Sequence, residues 1–321
     1  MHYRTFGRLG WRVSEIGHGT WGMGGWSDRD DDQSLRALDR ALVLGCNFID
    51  TALAYGEGHS ERLVARALHA HRAKRVYIAT KIPPKHRQWP GRAEDPISEV
   101  FPPAYIRECT IRSLQHLGVD CIDLQQLHVW SDAWAADDGW QQAVHDLKHE
   151  GLIRGFGISV NRWEPANVLA AIATGLVDAV QVVYNVFDQA PEDELFPTCA
   201  RLGVAVIARV PFDEGSLTGH LKRDATFPEG DWRRLYFTPE RLNETLDHVD
   251  RLLPLVPPGR DLPDLALRFI LQHPTVATTI PGMRKLGHVE RNFAASDAGR
   301  LPVGLYEALR AHRWDRTTVI P

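Results

Sequence analysis

The chain has 321 residues, 44% of them hydrophobic, a formal net charge of -4 and four cysteines, at 46, 109, 121 and 199. Its length suits one large core, because barrel folds reach this size without splitting, and its charge excludes electrostatic capture of nucleic acid or anionic lipid as its business. No apolar run approaches the roughly 18 residues that span a bilayer, "MHYRTFGRLG" lacks an apolar signal core, and isolated cysteines in amphipathic segments read as reduced thiols of a cytoplasmic protein.

In chain order, "YRTFGRLGWRVS" reads as a hairpin bending at "GRLG", placed to plug the bottom of a barrel. "SEIGHG" (14–19) is a first short strand, and "DDQSLRALDRALVLG" (31–45) is a helix with apolar residues at helical spacing and a glycine stop. Strand "CNFID" precedes helix "HSERLVARALHAH", and strand "RVYIATK" (75–81) precedes helix "PAYIRECTIRSLQHLG" (103–118). Strand "CIDLQQLHV" (121–129) precedes helix "DDGWQQAVHDLKHEG", and "IRGFGIS" (153–159) precedes helix "EPANVLAAIATG". "DAVQVVYN" (178–185) and "VAVIARV" (204–210) flank helix "PEDELFPTCARLG", and helix "DLPDLALRFILQHP" (261–274) leads into "TVATTIP" (275–281). Eight short, nearly continuous apolar strands alternating with helices predict a parallel sheet covered on both faces, closed as a (β/α)8 TIM barrel over one domain, 1–321. The doubly wound alternative calls for a glycine fingerprint at the first strand–helix turn, where "GTWGMGG" (19–25) is a weak match.

Two long insertions, 82–103 and 212–239, follow strand ends on the face where barrel sites form, and their aromatic residues read as a lining or lid. The tail "HRWDRTTVIP" (312–321) reads as another flap over that mouth or a loose end. On this fold Asp50 ends the second strand with Tyr55 just beyond it, Lys81 ends the third and His128 the fourth, so three consecutive strands deliver four polar side chains to one rim. No HExxH or Cys/His cluster suggests a metal.

The ordered set "FIDTALAYGEGHSE", "IATK", "IDLQQLHVW", "GFGIS", "QVVYN", "SLTG", "LALRFILQHP" and "TTIPG" resembles the aldo-keto reductases along essentially the whole chain. The resemblance implies an NAD(P)H-dependent oxidoreductase without metal or flavin, with Asp50, Tyr55, Lys81 and His128 as its tetrad. Tyr55 would protonate the carbonyl oxygen, Lys81 would favour tyrosinate and lower the phenol pKa, Asp50 would hold Lys81, and His128 would donate to the same oxygen. It also implies cofactor contacts at Thr20, Trp21, Asp50, Ser159, Asn161, Gln181, Arg209, Gly215, Ser216, Gly282, Arg284, His288 and Asn292. This chain departs from the family pattern at Val160, where asparagine is usual, at Arg209, where a tyrosine commonly stacks on nicotinamide, and at Asp213 and Glu214, acidic residues beside an expected diphosphate. Arg284, with Arg291 near it, points to NADPH rather than NADH. The resulting expectation is reduction of aldehydes or ketones to alcohols, aromatic or medium-chain aldehydes first. The alternatives are a non-catalytic nucleotide-sensing subunit and an NAD-dependent sugar or polyol dehydrogenase. Trp21 and Trp130 are expected to flank the mouth, and the oligomeric state stays open.

Overall fold

The computed structural model describes residues 1–24 and 30–316. Glycine at position 25 and the end of the tail, 317–321, therefore lie outside the described residues. Two strands form the N-terminal hairpin, β1 (Tyr3–Phe6) and β2 (Trp11–Ser14), paired antiparallel with Phe6 opposite Trp11. Eight further strands follow: β3 (His18–Gly19), β4 (Phe48–Asp50), β5 (Tyr77–Ile82), β6 (Ile122–Leu127), β7 (Ile153–Ser159), β8 (Ala179–Val183), β9 (Ala205–Arg209) and β10 (Val276–Thr279). They pair in parallel and in sequence order from β3 to β10. Parallel bridges Ile16–Thr279 and Gly19–Gly282 bring the first strand against the last and close the barrel. All eight expected barrel strands are present.

Every residue of β4, β6, β8 and β10 is buried, as parallel strands covered on both faces require, polar members such as Asp123, Gln125 and Gln126 included. The barrel's lower interior is filled by Phe6, Val13, Phe48, Leu124, Ile207 and neighbouring small residues. The hairpin is thus the bottom plug. Full burial of a side chain such as Phe6 stabilises by about 1.5–3 kcal/mol. Its bend approaches the barrel so closely that a Cβ on Gly7, which has φ +47, would meet the Gly203 carbonyl oxygen at 2.5 Å.

One helix is much shorter than its sequence pattern. The span 164–175 is helical only over Leu169–Ala173. Glu164 precedes Pro165, a position pushed away from helical geometry. Asn167 turns its side chain to Glu164 and to the Asp132 amide instead of continuing a helix. The carboxylate of Asp132 then accepts from the amides of Ala170 and Ala171 and so starts the helix late. Asp132 also accepts from Trp130 Nε1, and Trp130 is fully buried among Trp134 and Trp140. Trp130 therefore belongs to the core under the loop and not to the mouth, and the "WSDAWAADD" segment spends its polar groups on capping.

Candidate active site

The upper ends of the strands surround a cavity of about 900 Å³. Tyr55, His128 and Asp50 line it, and Lys81 lies directly behind, with a fully buried side chain. Lys81 Nζ donates to Asp50 Oδ1 at 2.5 Å, to the Thr51 carbonyl at 2.8 Å and to the Tyr55 hydroxyl at 3.4 Å. The same ammonium stands 5.1 Å from the centre of the Tyr55 ring. The His128 ring meets Tyr55 edge-on, with centroids 5.8 Å apart, and Trp89 meets His128 in the same manner at 6.0 Å. The geometry thus brings all four residues expected at the rim into one cluster.

The backbone around Tyr55 admits only small neighbours. A Cβ on Gly24 would meet the Tyr55 Cα at 2.6 Å, and one on Gly56, at φ +64, would meet the Gly24 oxygen at 2.1 Å. These two glycines let the loop after β3 pass against the turn that presents the phenol.

Asp50 is the hub of the floor. Besides Lys81 it accepts from Gln181 Nε2 at 2.7 Å and from Gln126 Nε2 at 3.5 Å. Gln126 was not anticipated, although it lies two residues before His128 and strand alternation puts it on the same inward face. Burial disfavours the Lys81 ammonium, but Asp50 and Tyr55 more than offset that and raise its pKa, so it stays charged. Burial pushes the Tyr55 phenol upward; Lys81 pulls the other way without reversing it. The expected net lowering by Lys81 is therefore not what the free protein has: the lysine moderates a rise that burial causes. The His128 pKa falls well below its usual value, first through burial and then through Lys81 and Arg209, so the ring is neutral near pH 7.

The other expected contacts divide by position. Trp21, Ser159, Asn161, Gln181, Arg209, Gly215 and Gly282 all line the cavity. Thr20 is buried and donates to the Asp50 carbonyl at 2.9 Å. Ser216 is buried and donates to Asp213 Oδ2 at 2.8 Å. Asn161 is pinned to the backbone of Gly91 in the 82–103 insertion, donating to its carbonyl at 2.9 Å and accepting from its amide at 3.3 Å. Arg209 donates to the Val160 carbonyl at 2.9 Å, while its Nε is buried without an acceptor. Burial, and after it Arg162, pushes the Arg209 pKa down to about 10, which still leaves a cation at neutral pH.

Farther along, Arg284 crosses the turn at Gly22, where a Cβ would stand 3.2 Å from Arg284 Cδ. His288 lies on the helix Leu286–Asp297, and its pKa is lowered by burial and then by Lys285, Arg291, His220 and Arg284. A basic group of side chains therefore surrounds the start of that helix. Arg291 also pairs with Asp261 at 3.5 Å, and Asn292 is buried on the same helix.

Trp21 lines the cavity, as do Trp89 and Trp232 from the two insertions, joined by Trp163. Phe101, Tyr236 and Phe237 are buried in the packing below. The tail contributes Arg316, which also lines the cavity and pairs with Asp188 and Asp213. Arg162 pairs with Glu214 across the same space. These pairs join residues far apart in the chain that no local sequence pattern links.

The fold and the constellation define a class: a parallel barrel whose strand ends bring a buried Asp–Lys pair against a tyrosine and a histidine that face the cavity. The model of the Aldo/keto reductase family matches residues 15–313. A glycerol dehydrogenase of Gluconobacter oxydans is 30% identical with a TM-score of 0.79, covering 97% of this chain and 94% of its own. An aldo-keto reductase of Schizosaccharomyces pombe named for NADP(+) is 30% identical over 88% of this chain and 84% of its own. An NADH-specific methylglyoxal reductase of Escherichia coli is 29% identical over 88% of this chain and 90% of its own. The chain belongs to the aldo/keto reductase family, and its class of activity is that of an NAD(P)H-dependent oxidoreductase.

Proposed function

We propose that the chain acts as one barrel domain that reduces aldehydes or ketones to alcohols with NADPH, with Tyr55 as the proton donor. The observation that carries this reading is the Lys81 ammonium held between Asp50 and the Tyr55 hydroxyl at the floor of a large cavity. A bound nicotinamide would supply a hydride to the carbonyl carbon. The residues of the chain supply the rest. Tyr55 gives its phenolic proton to the carbonyl oxygen, and the Lys81 cation stabilises the tyrosinate left behind. Neutral His128 orients that oxygen by a hydrogen bond. Asp50, held by Gln181 and Gln126, keeps the lysine in place.

The cavity fits a dinucleotide in its own terms. Buried guanidinium nitrogens of Arg162, Arg209 and Arg316 lack acceptors, so the wall offers donors to an anion. The cations around the helix Leu286–Asp297 support a 2′-phosphate and hence NADPH over NADH. A cation at Arg209 favours binding of a neutral reduced ring over an oxidised one, so the free protein should load NADPH in preference to NADP+. Trp21, Trp89 and Trp232 support aromatic or medium-chain aldehydes. No helix of the described residues is long and apolar enough to cross a membrane, and a cytoplasmic setting is part of the proposal. A carbonyl panel run with both reduced cofactors tests the reading: aromatic aldehydes should turn over with NADPH. Efficient turnover of glycerol or small sugars with NAD alone would replace it by a polyol dehydrogenase.

A further inference from the structure

The wall of the cavity opposite the tetrad contains an ion pair that neither the barrel nor the tetrad requires. Arg162 stands just beyond β7 and Glu214 just beyond β9. Both line the cavity, and Arg162 Nη2 donates to Glu214 Oε1 across it. The carboxylate-bearing side chain is only 10% exposed, yet the other guanidinium nitrogen, Nη1, is buried without an acceptor. The pair is therefore incomplete on the arginine side.

The backbone that presents the carboxylate is strained. Val210, Asp213 and Glu214 have φ of 57, 43 and 55, all in the left-handed region. A β-branched residue there is an outlier, and such conformations persist only when surrounding contacts enforce them. Glu214 is held by Arg162, while Asp213 is held by Arg316, Ser216 and the Tyr236 hydroxyl.

A nicotinamide dinucleotide with its reactive ring at Tyr55 and its adenosine toward Gly282 and Asn292 must cross the middle of the cavity with its diphosphate. Arg162, Glu214 and Gly215 all line that cavity. A carboxylate and a diphosphate brought to one guanidinium repel each other. We propose that Arg162 is a diphosphate-binding residue and that Glu214 is its internal counter-ion, displaced when the dinucleotide binds. The exchange keeps the guanidinium paired throughout and replaces one acceptor by several. The inference rests on the dinucleotide reading above and adds to it a residue and a competition.

The test is direct titration of NADPH, by calorimetry or tryptophan fluorescence, against wild type, Glu214→Gln, Arg162→Met and the double variant, with thermal stability measured in parallel. A competing carboxylate predicts opposite signs within one ion pair. Glu214→Gln should bind NADPH more tightly, by roughly ten-fold, and Arg162→Met more weakly, by about ten-fold or more, the scale of hydrogen bonds to charged groups. Should Arg162→Met fail to fold around its unpaired carboxylate, the double variant carries the test and should bind about ten-fold more weakly than Glu214→Gln alone. If both single variants bind NADPH more weakly, or neither changes, the pair is structural and the inference is overturned. If Arg162→Met leaves NADPH affinity intact and raises KM only for a carboxylate-bearing aldehyde, the arginine reads substrate, which also overturns it. Wild-type protein that binds neither NADPH nor NADH would instead overturn the dinucleotide reading itself.

Discussion

The two sides of the cavity are built differently. The floor, from β4 to β6, carries Asp50, Tyr55, Lys81 and His128 on or just beyond strand ends, and its hub carboxylate has three side-chain donors. The wall, from β7 to β9, carries arginine–carboxylate pairs on loops with positive φ and leaves guanidinium nitrogens unpaired. Asp50 and Lys81 are fixed by redundant partners before any ligand arrives, which proton transfer needs, while His128 Nδ1 is buried without a partner. Loops held by ion pairs can exchange one anion for another, which suits a cofactor that must enter and leave. On this account chemistry resides in the rigid side and recognition in the exchangeable one.

The sharpest way to break that division is at the floor. Tyr55→Phe keeps most of the ring packing and removes only the hydroxyl, so turnover should fall about 100- to 10,000-fold while NADPH affinity stays near wild type. Steady-state rates beside a cofactor titration decide it. An affinity loss as large as the rate loss would show that floor and wall are not separate.

Lys81→Met should also lower turnover, by less. Without the cation the phenol pKa rises further, because Lys81 is what restrains the rise due to burial. Reduction needs the protonated phenol and fails above its pKa, whereas oxidation needs tyrosinate and begins there. Both profiles should therefore move alkaline. The substitution leaves the Asp50 carboxylate with only amide donors, so the fold should lose on the order of 3–5 kcal/mol in denaturant titration. The Tyr55→Phe/Lys81→Met double variant should fall well short of additive in turnover.

On the recognition side, Arg284→Ala should weaken NADPH about ten-fold and leave NADH nearly untouched, since only NADPH carries the 2′-phosphate. Equal losses for the two cofactors would place the arginine in the packing over Gly22 rather than in recognition. A smaller effect is expected at the mouth. Trp89→Ala should raise KM for an aromatic aldehyde several-fold with little change for a short aliphatic one, because the indole lines the cavity and meets His128 edge-on.

The floor was legible in the sequence, and so were wall positions such as Ser159, Gln181 and Arg209, but the ion pairs of the wall were not. Parallel strands buried on both faces leave largely apolar segments, and Asp50, Lys81 and His128 stand together at the ends of three consecutive ones, a joint placement more telling than any one of them alone. Gln126 could have been found by counting two back from His128 along the strand. Arg162–Glu214 is a contact across 52 positions and Arg316–Asp188 one across 128, set by loop geometry that no local period encodes. Trp130 was misplaced because an aromatic residue just after a strand end reads alike whether it turns to the mouth or beneath the loop. Only the Asp132 bond to its indole nitrogen shows which.

The central claim is that hydride and proton meet a carbonyl above Tyr55. Its most direct test is single-turnover reduction of an aromatic aldehyde by NADPH deuterated at nicotinamide C4, with wild type and Tyr55→Phe compared by mass spectrometry of the alcohol. The account predicts deuterium on the carbinol carbon with wild type and a single-turnover rate lower by about 100-fold or more with the variant. An alcohol free of deuterium from either cofactor epimer, or an undiminished rate in folded Tyr55→Phe, would contradict it.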